Sequence, residues 1–220
     1  IDEVFYSTII GRFRDPSHLH IIPNFVDTGL YTEVSDDAIQ QLDRTIFPET
    51  NDLKVMYAGN IGNAQDWDTF VLLASELQLH PVRFFVVGEG VDKDKLAAAI
   101  ASKQLANVTL IPYQPRERMP AMIAYADLHF IFMAPEVEGH GFPSKVYTLM
   151  SCAKPMLVCS GQKTPIVNFL YDKECALIVS EKDTDVRIKH LKDILLTIDK
   201  IQLAQMGTKG KILVESKYNR

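Results

Sequence analysis

Residues 128–159 read L-H-F-I-F-M-A-P-E-V-E-G-H-G-F-P-S-K-V-Y-T-L-M-S-C-A-K-P-M-L-V-C. The apolar run Leu128–Met133 has the length and continuity of a buried strand, and Met156–Cys159 has the same character. Between them lies a Gly-rich turn and then a helix pattern. Pro143 is expected as the first helical residue, because its missing N–H would go unpaired there anyway. A strand, a crossover helix and a second strand make a parallel unit. The helix start then faces the carboxyl end of the strand, where free N–H groups and the positive end of the helix dipole suit an anion. Ser144 and Lys145 would lie in that first turn, and Lys145 adds a point charge.

The same alternation runs outward in both directions. Lys54–Ala58, Val82–Val87, Val108–Ile111 and Ala176–Val179 read as further strands. Asp66 opens a helix carrying Trp67, Phe70, Val71, Ala74 and Leu77 at spacings of three and four. Further helices are expected over Asp92–Lys103, with Leu96, Ala99 and Ile100 inward, and over Pro120–Tyr125, Thr164–Leu170, Asp185–Ile198 and Ile201–Glu215. Repeated strand–helix units with right-handed crossovers predict an α/β fold. It is a doubly wound, Rossmann-like parallel sheet with helices on both faces. Such sheets bind ligands beyond the carboxyl ends of their strands. The loops of interest are therefore 59–65, 88–91, 112–118 and 134–145.

Composition limits the function. The 220 residues carry 23 Lys and Arg against 28 Asp and Glu, a net charge of -5, which argues against a nucleic-acid partner. Three cysteines without framework spacing read as reduced thiols, with Cys152 and Cys159 as small core residues. No apolar run reaches the roughly 20 residues of a membrane span. The chain begins without methionine and stops inside a helical pattern, and is expected to be part of a longer protein. Residues 1–20 would be a linker or remnant of a missing N-terminal domain, and residues 21–220 the ligand-binding domain.

Several short motifs, in order, resemble the C-terminal, nucleotide-sugar-binding half of a group 1 (family 4) retaining glycosyltransferase of GT-B architecture. They are Ile21-Ile22-Pro23-Asn24-Phe25-Val26-Asp27, Tyr57-Ala58-Gly59-Asn60-Ile61-Gly62, Val86-Val87-Gly88-Glu89-Gly90, Met119-Pro120 with Tyr125-Ala126-Asp127, and Gly141-Phe142 with Met150-Ser151-Cys152-Ala153-Lys154-Pro155. The family usually has two glutamates eight positions apart, where this chain has His140 and Thr148. It usually has an arginine and a lysine in the first turn, where this chain has Asn60 and Gln65. The G-N-I-G…Q string and the Pro-Ser-Lys turn resemble the bacterial surface-polysaccharide subgroup, in which Lys145 would supply positive charge missing elsewhere.

The resemblance implies a cytoplasmic protein working at the inner face of the plasma membrane. It would bind a nucleoside diphosphate sugar of UDP or GDP type. Hexosyl transfer would proceed with retention and without metal or cofactor, to a glycan or lipid-linked acceptor. The donor-binding set it implies is Gly59, Asn60, Gly62, Gln65, Gly88, Tyr113, His140, Gly141, Phe142, Ser144, Lys145 and Thr148. The group that activates the acceptor would belong to the protein's own N-terminal domain, so this part alone is expected to transfer nothing.

Plain structural roles compete for the same residues. Thr148 could pack a helix, and His140 could be an exposed loop residue. Asp66-Trp67-Asp68 matches a metal-binding D-x-D pattern, but an Asp opening a helix is better explained as a cap, and Asp92-Lys93-Asp94 likewise. His18 and His20 have no third ligand nearby in sequence. A nicotinamide-dependent dehydrogenase would need glycines where this chain has Ile61 and Ala64, although Glu89 stands where a ribose-binding acid belongs. A non-catalytic nucleotide-binding or protein-interaction domain is the other alternative.

Overall fold

The computed structural model describes residues 6, 9–20, 25–31, 34–139 and 141–219. Six strands form one sheet: β1 Leu53–Ala58, β2 Val82–Val87, β3 Val108–Ile111, β4 Leu128–Phe132, β5 Met156–Cys159 and β6 Ala176–Val179. All pair in parallel, in the order β3-β2-β1-β4-β5-β6. The helices are α1 Asp36–Gln40, α2 Trp67–Glu76, α3 Lys93–Ser102, α4 Met119–Tyr125, α5 Lys145–Ser151, α6 Pro165–Leu170, α7 Thr184–Thr197 and α8 Lys200–Lys217. Crossover helices cover both faces, which is why the strands are apolar throughout: every residue of β4 and β5 is buried.

One face carries Val55, Tyr57, Phe84, Val86, Phe130 and Phe132, packed against α2 and α7. Its centre is aromatic. Phe70 stacks on Phe130 at 5.0 Å and Trp67 meets Tyr57 edge-on at 5.1 Å, an arrangement worth about 1 kcal/mol per pair beyond burial. The other face is divided. Met56, Phe85 and Val87 pack with Phe47, Met122 and Tyr125. Ile131, Met156 and Val158 pack with Val146 and Met150 of α5, Ile166 of α6 and Val214 of α8.

Two expectations about helix starts need correction. Helix α5 begins at Lys145 rather than Pro143, because the N–H groups of Val146 and Tyr147 bond to the carbonyls of Pro143 and Ser144, one residue tighter than α-helical spacing. Asp66 does cap α2, accepting from Thr69 N at 3.0 Å and from Thr69 Oγ1 at 2.6 Å. Asp92, at the corresponding place before α3, makes no such side-chain bond; its backbone N–H is given to Ile61. Residues Ile21–Asn24, quoted above for the resemblance, lie outside the described residues.

Candidate functional site

The strand order reverses between β1 and β4, and the two strands part company there. Their register is confined to Val55↔Leu128 and Met56↔His129. Past that point β4 bonds to the loop that returns from β1: Asp66 N–H donates to Phe132 O, and Ala134 N–H to Ala64 O, both at 3.0 Å. The carboxyl ends of β1 and β4 therefore leave a crevice between them, the position where open parallel sheets take ligands.

The side chain of Lys145 fills the mouth of this crevice. It comes from the first residue of α5, and its Nζ lies 3.6 Å from the centre of the Tyr57 ring. Above it is Gly59, at φ +152, a conformation that side chains rarely adopt, with Nζ 2.7 Å from where a Cβ would stand. Nζ is buried and has no hydrogen-bond partner among the described residues. Burial alone pulls the amine down to about 7, well below an ordinary lysine. The backbone N–H groups of Ser144 and Lys145 also donate to no carbonyl among the described residues.

Behind Lys145 is a cavity of about 210 Å³. Its walls include Met56 and Ala58 of β1, His129 of β4, Met119 and Ile123 of α4, and Arg116 and Thr148 at its polar side. His129 is fully buried, with Nε2 donating to Ile123 O at 3.1 Å, and burial holds it down to about 3, so it is neutral. Neither Arg116 nor His129 was singled out in the sequence. Arg116 sits in a short 3-10 turn and His129 inside a strand, and only the cavity brings them beside Lys145.

The other expected donor-binding residues fall into three groups. Thr148 shares the cavity with Lys145. Asn60, Gly62 and Gln65 form the turn after β1. The Asn60 carbonyl accepts from Tyr57 Oη at 2.6 Å, and the Gln65 side-chain oxygen accepts from Gly62 N–H at 3.2 Å. Among the described residues the side-chain amide N–H groups of Asn60 and Gln65 are left to donate, and Gly62 O is taken by Trp67 Nε1 at 3.2 Å. Tyr113 stands at the same edge, 71% exposed, with its N–H on Glu89 Oε1 at 3.3 Å.

The third group is structural. Gly88, at φ +146, is pressed on Gly59: a Cβ there would lie 1.9 Å from the Gly59 carbonyl oxygen, so it joins two loops rather than presenting an open surface. The Phe142 ring packs 5.7 Å from Tyr147 and 5.3 Å from Phe169 in an aromatic group under α5. Gly141 is half-buried nearby, and His140 lies outside the described residues.

Glu138, from the loop leading to α5, accepts from Gly161 N–H at 2.7 Å and from Ser160 Oγ at 3.2 Å. It ties that loop to the end of β5. Burial raises the three thiols, Cys152 and Cys159 to about 12 and Cys175 to about 11, so they are inert packing groups.

Known proteins share this architecture. Anabaena Alr3699/HepE, solved in complex with UDP and glucose, superposes with a TM-score of 0.76 over 97% of this chain and 56% of its own, at 17% identity. A glycosyltransferase from Rickettsia africae ESF-5 superposes with a TM-score of 0.80 over 100% of this chain and 58% of its own, at 9% identity. At these identities the likeness establishes the fold. In sequence, 129 residues (59% of this chain) are 25% identical to a protein named as a colanic acid biosynthesis glycosyl transferase, WcaI of Escherichia coli (strain K12). That match spans 32% of WcaI, and the two structures are covered over 56% and 58% of their length, so the chain spans less than two thirds of each of these relatives. Residues 39–211 match the family described as glycosyl transferases group 1, and the chain is a member of that family.

Proposed function

We propose that the crevice between β1 and β4 binds the diphosphate of a sugar nucleotide, and that the chain is the donor-binding part of a metal-independent, retaining glycosyltransferase. The observation that carries this is the buried Lys145 Nζ, which no group among the described residues uses. A diphosphate would supply the missing acceptors, and the N–H groups of Ser144 and Lys145 would add neutral donors. Negative charge grows on the leaving diphosphate as the sugar bond breaks. Fixed donors at that position stabilise the transition state more than the ground state, which accelerates transfer. Lys145 would then do for the leaving group what a metal ion does elsewhere.

The nucleoside would extend over the cavity side, with Thr148 and Arg116 near the ribose and Tyr113 offering a ring to the base. The acceptor would be a glycan or a lipid-linked glycan of a surface polysaccharide, in keeping with the name of the WcaI relative. A partner domain would supply the acceptor site. The dehydrogenase alternative is disfavoured because Glu89, its ribose-binding candidate, is engaged by Lys93 Nζ at 2.6 Å and by Tyr113 N–H.

Titration calorimetry with UDP-glucose, GDP-mannose, ADP-glucose and NAD, each with and without EDTA, tests this. At least one sugar nucleotide should bind, undisturbed by EDTA, while NAD does not. Binding of NAD alone, or of nothing, would refute it.

A further inference from the structure

The surroundings of Lys145 Nζ suit an amine better than an ammonium ion. From β1, Tyr57 presents its ring, and its hydroxyl is already given to Asn60 O. The loop above presents only the backbone of Gly59. From β4 comes His129, a neutral imidazole whose N–H is committed to Ile123. The turn before α4 brings Arg116, a like charge, and α5 itself brings Thr148. Tyr31, also on the cavity wall, is the remaining titratable group. Among the described residues no carboxylate pairs with Nζ. A buried charge without a counter-charge gives up its proton rather than bear the desolvation. The ring face of Tyr57 attracts a cation, but far less than a carboxylate would.

We propose that Lys145 stands in the empty site as a neutral amine and takes one proton from solvent as a diphosphate docks, so that donor binding and proton uptake are a single event. The inference rests on the diphosphate reading of the crevice given above. The proton balance is simple. The amine becomes an ammonium ion, no bond to phosphorus forms, and the two negative charges of the diphosphate remain. A sugar nucleotide is a diphosphate diester and does not itself titrate near neutrality, so the proton goes to the protein. The lowering of Lys145 to about 7 by burial puts this exchange in the physiological range. The bound anion then restores the ordinary preference of a lysine for its charged form.

The experiment uses UDP-glucose, GDP-mannose and ADP-glucose by calorimetry at pH 6 and pH 8, each in two buffers of different ionisation enthalpy. Uptake of about one proton is expected at pH 8 and of little at pH 6, with affinity falling toward tenfold per pH unit above about 7. Lys145→Arg stays charged throughout and should bind without uptake and with a flat pH profile. The buffer dependence of the unmodified protein decides the matter even if that variant does not fold. Binding without buffer dependence, flat in pH, overturns the proton linkage and leaves the diphosphate site standing. Uptake that persists in Lys145→Arg overturns the assignment to Lys145. Failure of all three sugar nucleotides to bind overturns both.

Discussion

Two half-buried lysines bracket helix α5, and they are in opposite circumstances. Lys154, just past its end, donates to Ala124 O at 2.6 Å and to Ala126 O at 2.8 Å. The Lys145 amine, at its start, donates to nothing among the described residues. Burial lowers both amines. The difference lies in what each one satisfies. The carbonyls at the end of α4 have no intrahelical partner, and Lys154 supplies their donor. Lys145 answers no need that the fold creates. A buried polar group with partners holds structure together; one without partners, at a ligand edge, points to something that comes and goes.

The largest effect expected from breaking this contrast is on stability. Lys154→Met leaves two carbonyls without a donor and should cost about 3 kcal/mol, read as a lower urea midpoint at unchanged slope. Lys145→Met should not destabilise the empty protein at pH 7 and should raise its stability, since it removes the penalty of a buried amine and leaves no orphan. The same change should weaken sugar-nucleotide binding by about 2 kcal/mol, or roughly thirtyfold, as a charge-assisted bond is lost. Equal destabilisation by both variants would erase the distinction.

A smaller effect sharpens the contrast through pH. The folded Lys145 has its pKa lowered to about 7, so between that value and the ordinary lysine value the unfolded chain holds a proton that the folded chain lacks. Stability must then rise with pH across that window, with the penalty complete below about 7 and relieved as pH climbs. The Lys145 contribution is roughly 1.4 kcal/mol per pH unit, visible as a slope in the unmodified protein that Lys145→Met lacks. The stability of the empty protein and the affinity for donor should thus move in opposite directions between pH 7 and 9. Least affected in stability should be Tyr113→Ala, within about 0.5 kcal/mol, because the ring is mostly exposed. Its sugar-nucleotide affinity should still drop severalfold by calorimetry if the base stacks there.

The sheet was legible because buried parallel strands are written as unbroken apolar runs. Val82–Val87, Val108–Ile111, Met156–Cys159 and Ala176–Val179 form where their composition puts them. Helix starts were less so. A proline marks the approach to α5, but Pro143 and Ser144 use their carbonyls in a tighter turn first. Helix α1, five residues long, has too little periodicity to register, though Ser35 caps it by accepting from Ala38 N–H at 3.3 Å. At the site, the sequence pointed to Lys145 as a charge near a helix start. It could not say that the side chain is buried, or that β1 and β4 separate to admit it. Arg116 and His129 become its neighbours only through that separation. Nor does the sequence tell Lys145 from Lys154, whose partners lie 30 and 28 positions away in the chain.

Gly88 carries a consequence out of proportion to its size. Its Cα rests on the carbonyl of Gly59, and Gly59 is the ceiling over the Lys145 amine. A single methyl group at position 88 would act as a wedge, lifting that ceiling and opening the amine to bulk water. The ammonium would then be hydrated at rest, and the pocket would lose its electrostatic tension without any group that meets the nucleotide having changed.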